Sequence, residues 1–365
     1  MKIMYLLFSF TVGGTERLVA DICNQMVKQN QDVYLYIVND LVDDELLSTL
    51  DETIHVILAR RKVGSKNKIS PLLDVAKAIM NYKIEVVHCN SFNAPELLLI
   101  SKIINPNCKI ISTVHGMGQF ANMNKLKLAI RKRVCHKFVA ISNSVKYDMI
   151  NAGISEHKVT CIYNGINTVK YDIASLKEFD KSHPVIGCVA RIMPTIKGQD
   201  VLLEATSIVK KVFPTVKVLF AGGVAERQQD DYRKLLEYVH EHELTDNVEF
   251  LGNVDDVPSF LNSIDICVVP SRSEGFGLAL VEALAMGVPT IASDIAGPKE
   301  IVENEGIGVL FKSGDSVDLA NKILRTIDDY ESIRITVWEN KDSIKDNYSI
   351  KKTCECLLRE YESCL

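Results

Sequence analysis

"DICVVPSRSEGFGLALVEALAMGVPTIA", residues 265–292, is the stretch on which the fold turns. Within residues 265–270, Ile266–Pro270 is a continuous apolar run rich in β-branched residues, the mark of a strand buried on both faces. Ser271–Gly275 is a polar, glycine-bearing turn. Phe276–Gly287 follows an apolar helical pattern that Gly287 and Pro289 bring to an end. Val288–Ala292 then opens a second strand. A strand, a helix and a strand in this order form a crossover that lays the two strands parallel.

The same alternation extends outward in both directions. Residues 2–9, 33–38, 54–58, 85–88, 109–114 and 137–141 read as strands in the first half. Residues 184–190, 216–221, 247–251 and 308–311 join 265–270 and 288–292 in the second. Helical periodicity fills most of the gaps, which predicts an α/β fold of parallel sheets covered by helices. The pattern breaks near 165–183, where "YNGINTVKY" supplies a turn and "DIASLKEFDKSHP" is polar and weakly periodic. The expected organisation is therefore two doubly wound, Rossmann-like domains over 1–165 and 184–335. A linker over 166–183 joins them, and an extra helical segment follows over 336–365. Ligands in such sheets bind beyond the carboxyl ends of strands, so a cleft between two facing domains is the expected site.

Composition agrees with this class. Of 365 residues, 47% are hydrophobic and 24% charged, with no repeat or low-complexity tract. The ten cysteines are scattered, none in C-x-x-C spacing, and several lie in strand-like runs. That favours reduced, buried thiols in a cytoplasmic protein over a disulfide framework or a zinc site. The opening "MKIMYLLFSFTVGG" reads as a first strand feeding a Gly-Gly turn rather than a signal sequence, because no small-residue cleavage pattern follows it. No run approaches the ~20 apolar residues that span a bilayer. Net charge is −5, but residues 1–165 hold 20 basic against 14 acidic side chains while the remainder holds 22 against 33. The first half is thus suited to an anionic partner, unless the imbalance is only drift among surface residues. No nucleic-acid partner is expected.

Chemistry concentrates in the second half. In "CVARIMPTIKGQDVLLEA", Arg191 ends a strand and Lys197 precedes a helix. Two solvated cations flanking a loop are common, yet a planar fork beside a point charge also suits a diphosphate. Gly222 and Gly223 allow close backbone approach, although a tight turn alone would explain them. Gly252–Val254 offers backbone groups to a flat base. The helix N-terminus at Phe276–Leu278, with Gly275 and Gly277 keeping side chains away, is a natural anion site. Glu274 and Glu282 are eight residues apart. If both were helical, their backbones would lie ~12 Å apart along the axis, whereas hydrolase carboxylate pairs sit at ~5–9.5 Å. The spacing suits one elongated ligand with phosphates on the helix N–H groups and a polyol at each end, as in a nucleotide sugar. Asp255 and Asp256 are adjacent, with no D-x-D pair, so no metal is expected.

"RSEGFGLALVEALAMGVPTIASDIAG", "VARIMPTIKGQDVLLEA", "CIYNGIN" and "TVHG" together resemble the retaining glycosyltransferases of family 4, which have the GT-B fold. The likeness runs from "GGTERL" near the start to "NYSIKK" before the last helix. It implies that Arg191 and Lys197 hold the donor diphosphate and stabilise it as the leaving group. Glu282 would bind ribose hydroxyls, and Glu274 would bind hydroxyls of the transferred sugar near the Phe276–Leu278 amides. Gly13 and Gly14 would let the backbone approach the diphosphate, and His115 would contact the sugar. His115 follows a strand, where histidines are usually satisfied structural groups, but it stands before two glycines at a strand end. The last helix would cross back onto the first domain. The implied donor is a UDP-sugar in preference to a GDP-sugar, with no cofactor and with front-face transfer to a saccharide or lipid-linked acceptor.

"NMNKLKLAIRKRVCHKF", residues 122–138, reads as a helix with Met123, Leu126, Ala129, Ile130 and Val134 on the sheet side. Lys125, Lys127, Arg131 and Lys132 would spread over the outer face around an exposed Leu128, either simply solvated or peripheral on an anionic membrane. Two other readings compete. A GT-B sugar-nucleotide epimerase would bind similar donors but needs acid/base carboxylates near the sugar, and a phosphorylase needs a pyridoxal phosphate lysine that nothing here marks. A non-catalytic partner subunit has little reason to keep Arg191, Lys197, Glu274 and Glu282 together.

Overall fold

A computed structural model describes residues 1–67, 69–121, 123–172 and 178–365. The chain divides into two compact units, Met1–Ile166 with Ser349–Leu365, and Asn167–Tyr348.

The first unit is built on strands β1 (Lys2–Leu7), β2 (Asp32–Asn39), β3 (His55–Arg61), β4 (Val86–Cys89), β5 (Lys109–Val114), β6 (Lys137–Ala140) and β7 (Val159–Cys161). They form one sheet in the order β3-β2-β1-β4-β5-β6-β7, every pairing parallel. Helices α1 (Gly14–Lys28), α2 (Asp44–Ser48), α3 (Ser70–Tyr82), α4 (Leu99–Ile104), α5 (Lys125–Val134) and α6 (Asn143–Asn151) make the connections. β1 and β4 lie at the centre of the sheet, with Ile3–Leu7 and Val86–Cys89 all buried. The three-residue β7 has too short an apolar run to stand out in the sequence.

The second unit repeats the plan with β8 (Val185–Val189), β9 (Lys217–Ala221), β10 (Val248–Gly252), β11 (Ile266–Val269), β12 (Thr290–Ser293) and β13 (Val309–Phe311). Their order is β10-β9-β8-β11-β12-β13, again parallel throughout. The helices are α7 (Pro194–Lys197), α8 (Gln199–Val209), α9 (Gln229–Glu241), α10 (Val257–Ser263), α11 (Leu278–Ala285), α12 (Ala296–Glu305), α13 (Ser316–Asp328) and α14 (Tyr330–Asn347). Side chains of α8, α9 and α13, such as Leu202, Leu235 and Ile323, close a core over one face of the sheet. α11 covers the other face at β11 and β12 and packs against α14.

In both sheets the strand order reverses once, at β1/β4 and at β8/β11. The loops leaving the carboxyl ends of such a pair diverge to opposite sides, opening a crevice where ligands sit in sheets of this type.

Domain limits differ from the sequence expectation. The 336–365 segment is not one helix: α14 stays with the second unit, and α15 (Ile350–Glu362) packs on α1 of the first. Ile350, Cys354, Leu357 and Tyr361 recur at helical spacing and are its buried face. Of the residues placed in a 166–183 linker, Ile166 closes the first unit and the described residues from Asn167 onward belong to the second. Tyr171 is buried, and Phe179 stacks on Tyr330 at 3.7 Å. Positions 173–177 of that segment lie outside the described residues.

Candidate functional site

The site of the second unit is assembled from the β8/β11 reversal. Arg191 follows β8 and is exposed; Lys197 closes the single turn α7. Glu274 lies in the turn after β11 and is half-buried. The structure brings the last two together: Lys197 Nζ donates to Glu274 Oε2 at 2.5 Å, with side chains 28% and 20% exposed.

Residues not singled out in the sequence hold these loops in register. Buried Gln199 donates from Nε2 to the Arg191 carbonyl (2.9 Å) and fixes the backbone that carries that guanidinium. Arg272 donates from its backbone to the Ile196 carbonyl (2.8 Å) and from Nη1 to the Pro194 carbonyl (2.8 Å). Its fork also grips Asp200 through both carboxylate oxygens at 2.6 and 2.8 Å. About a third of each side chain is exposed, and pairs of that kind contribute only ~0.2–1 kcal/mol. The clamp therefore matters for geometry more than for stability, because it ties the Lys197 turn to the Glu274 turn.

Gly222 is required by close approach: a Cβ there would stand 1.9 Å from the Ala190 carbonyl oxygen, so a side chain would push β9 away from the Arg191 loop. Gly277 has φ +114° and is the N-cap of α11, a backbone that L side chains rarely adopt. The helix thus begins at Leu278, two residues later than the sequence predicts. Phe276 precedes it as a buried anchor against Tyr348, with ring centroids 5.7 Å apart. Leu278 opens the first turn, in which the Leu280 N–H donates to the Gly277 carbonyl at 3.0 Å. Glu282, on the second turn, accepts from the Tyr171 hydroxyl at 2.7 Å. Glu274 lies outside the helix, so the ~12 Å separation expected for two helical residues does not apply. Val254 follows β10 and is half-buried, and Asp256 is the N-cap of α10, accepting from the Ser259 N–H at 2.9 Å.

In the first unit the groups buried beside the reversal are neutral, while Glu16 and Arg17 stand in the first turn of α1. Gly13 caps α1 and Gly14 is its exposed first residue, after β1. His115 follows β5; its Nε2 lies 3.3 Å from Asn90 Oδ1, and burial pushes its pKa down to about 4. His88, at the end of β4, is fully buried between the Tyr361 hydroxyl (2.5 Å) and Thr113 Oγ1 (2.6 Å). Desolvation, then the neighbouring His115, hold its pKa near 3. Tyr361 also meets the Tyr5 hydroxyl at 3.2 Å, so α15 is fastened to the sheet by a buried polar cluster.

Two family models divide the chain between them, Glycosyltransferase Family 4 over residues 12–170 and Glycosyl transferases group 1 over residues 172–340. An uncharacterised glycosyltransferase of Methanocaldococcus jannaschii is 30% identical over 275 residues, which are 73% of this chain and 70% of that one. The chain belongs to the family 4 glycosyltransferases. The capsular polysaccharide biosynthesis glycosyltransferase CapM of Staphylococcus aureus is 27% identical over 353 residues, 92% of this chain and 90% of CapM. The fold is that of Anabaena HepE, solved in complex with UDP and glucose, with a TM-score of 0.85 over all of both chains at 20% identity. Two Rossmann-like units in one chain are the GT-B fold.

One helix of this glycosyltransferase corrects the sequence reading. In α5, Arg131 is not on an outer face: it is 1% exposed, pairs with Glu96 at 2.9 Å, donates to Asn93 at 3.0 Å and lies over the Phe92 ring at 3.8 Å. Lys132 and Leu128 are only half-exposed, while Lys125, Leu126, Lys127, Ala129 and Arg133 are exposed, Leu126 at 70%. The reading assumed that an arginine must face water, whereas Glu96 and two aromatic rings give this one a partnered interior. Asn122, which began the predicted helix, lies outside the described residues. Among the described residues no helix is long and apolar enough to cross a membrane.

Proposed function

We propose that this glycosyltransferase is a retaining, metal-independent enzyme that moves a hexosyl unit from a UDP-sugar to a saccharide or lipid-linked saccharide, in polysaccharide or glycoconjugate synthesis. The observation that carries the reading is the cation–carboxylate arrangement at the β8/β11 reversal: Arg191 and Lys197 for the diphosphate, Glu274 for the sugar, and Glu282 for the ribose. The names of CapM and of an N-acetyl-alpha-D-glucosaminyl L-malate synthase of Bacillus anthracis, 25% identical over 79% of this chain, support the reaction class. HepE's complex with UDP and glucose supports the donor.

In the proposed step the acceptor hydroxyl oxygen bonds to the anomeric carbon on the face from which the phosphate departs. The C1–O bond breaks with its electron pair going to the diphosphate, and a departing phosphate oxygen takes the hydroxyl proton. Arg191 and Lys197 stabilise the charge that develops, which is the kind of electrostatic term that dominates such catalysis. His115, neutral at its depressed pKa, offers a hydrogen bond without adding charge. The test is product analysis with UDP-sugars in the presence of a chelator. An α-linked product from an α-linked donor is expected; an inverted anomer by NMR, or loss of activity to the chelator, refutes the proposal. Isomerised sugar from donor alone would favour an epimerase instead.

The exposed face of α5 supports reversible binding to anionic membrane at the cytoplasmic side, since each basic residue near such a surface contributes ~1 kcal/mol and Leu126 is free to insert shallowly. Changing Lys125, Lys127 and Arg133 to Ser should abolish sedimentation with anionic vesicles at low salt while UDP binding persists. Arg131 is excluded from that variant, because it is itself buried and its loss would leave half-buried Glu96 without its partner. Wild-type protein that stays in the supernatant would point to a soluble acceptor.

A further inference from the structure

The Lys197–Glu274 pair joins two groups that the donor-site reading assigns to different parts of one ligand, the cation to the diphosphate and the carboxylate to the sugar. The two pair at 2.5 Å in a setting where about three quarters of both side chains is covered. Their loops are fixed to one another independently of the pair, by the Arg272 N–H on the Ile196 carbonyl and by the Arg272 guanidinium on the Pro194 carbonyl and Asp200. Loss of the ion pair therefore leaves Glu274 close to Lys197 rather than letting it swing away.

We propose that Glu274 is a specificity-determining residue that disfavours the spent nucleoside diphosphate by competing with it for Lys197. The inference rests on the donor-site reading and adds to it a discrimination between substrate and product. A nucleoside diphosphate must displace Glu274 from Lys197 to reach the cation, and partial burial weakens the screening that would soften that cost. An intact donor brings sugar hydroxyls that donate to the carboxylate, and hydrogen bonds to an ionised acceptor are strong enough to offset the loss. After transfer those hydroxyls leave with the product sugar. Glu274 then retakes Lys197 and speeds departure of the diphosphate, a step that limits turnover in many transferring enzymes. The same carboxylate thus favours the loaded nucleotide and penalises the empty one.

Calorimetry with UDP on the full chain tests this with no need for activity. Glu274→Gln, which keeps the shape but not the charge, should bind UDP about 5- to 10-fold more tightly, since each tenfold corresponds to ~1.4 kcal/mol, while turnover falls. Glu274→Asp, which keeps the charge but withdraws it by one methylene, should lie between the two and serves if the Gln variant proves unstable. In a Lys197→Ala background the same Glu274→Gln change should tighten UDP by less than about twofold, because the shared cation is gone. Unchanged or weaker UDP binding by Glu274→Gln overturns the proposal. Equal tightening in both backgrounds also overturns it, by reducing the effect to simple charge repulsion. If Lys197→Ala itself leaves UDP affinity unchanged, the donor-site reading fails and the inference falls with it.

Discussion

Buried beside the reversal of the first sheet is a cluster of uncharged side chains: two imidazoles with pKa values near 3 and 4, an amide and three hydroxyls, from Asn90, Tyr5, Tyr361 and Thr113. At the reversal of the second, the side chains are ions: Lys197 on Glu274, Arg272 on Asp200, Arg191 exposed on a loop held by Gln199. Apart from the extra β7 of the first sheet, the strand orders are the same. One topology therefore offers the same kind of crevice twice, and the side chains at the strand ends decide what each can hold. Ions suit a diphosphate and its developing charge, whereas neutral polar groups suit hydroxyls, which a nearby charge would not orient as selectively.

The largest effect that should follow is on turnover. Lys197→Ala or Arg191→Ala should lower kcat by ~10²-fold or more in steady-state assays, as loss of other charge-stabilising donors does. An unchanged rate in either purified variant would remove the second unit's charged groups from the reaction. A structural test of the same end is Gly222→Ala. With the Ala190 carbonyl 1.9 Å from the new Cβ, the loop must shift, and the melting temperature should drop by several degrees.

Smaller effects separate the ribose end. Glu282→Gln should weaken UDP by about tenfold, and Tyr171→Phe by about fivefold, the scale of one hydrogen bond of ~1 kcal/mol. Calorimetry ranking Tyr171 above Glu282 would mean that the hydroxyl, not the carboxylate, meets the nucleotide.

The contrast can also be broken by pH. His88 and His115 have folded-state pKa values of about 3 and 4, below the 6.5 of the free side chain. The unfolded chain therefore binds protons first as pH falls. These two groups lower stability between about pH 6.5 and 4 and leave it unchanged above that window. The slope of melting temperature on pH in that range should flatten in His115→Gln. Imidazole NMR signals of both residues should be those of neutral rings at pH 5.5, and titration of either near 6.5 would end the distinction between the two units.

Much of the plan was readable in the chain. Every strand but β7 was marked by its apolar run, most plainly the central ones, which are buried on both faces, while the edge strands β3 and β10 are only partly covered. Lys197, Glu274 and Glu282 stood out because their positions relative to strand ends and a helix start are local in sequence. What holds them was not legible. Arg272 and Asp200 are 72 residues apart, Tyr171 and Glu282 are 111 apart, and no spacing rule joins such pairs before the sheet does. Gln199 looked like any polar helix-start residue until its burial under Arg191 was seen. Arg131 misled for the converse reason: periodicity treats arginine as polar, and only the fold supplies Glu96 and Phe92.

The most direct measurement of the central claim, that the charged reversal of the second unit and not the neutral one of the first holds the nucleotide diphosphate, is UDP calorimetry on Lys197→Ala beside His115→Ala. The account predicts that Lys197→Ala weakens UDP by about 10- to 100-fold, the scale of a lost charge-assisted hydrogen bond. His115→Ala should stay within about twofold of wild type, since UDP carries no hexose for it to touch. The reverse ranking would contradict it.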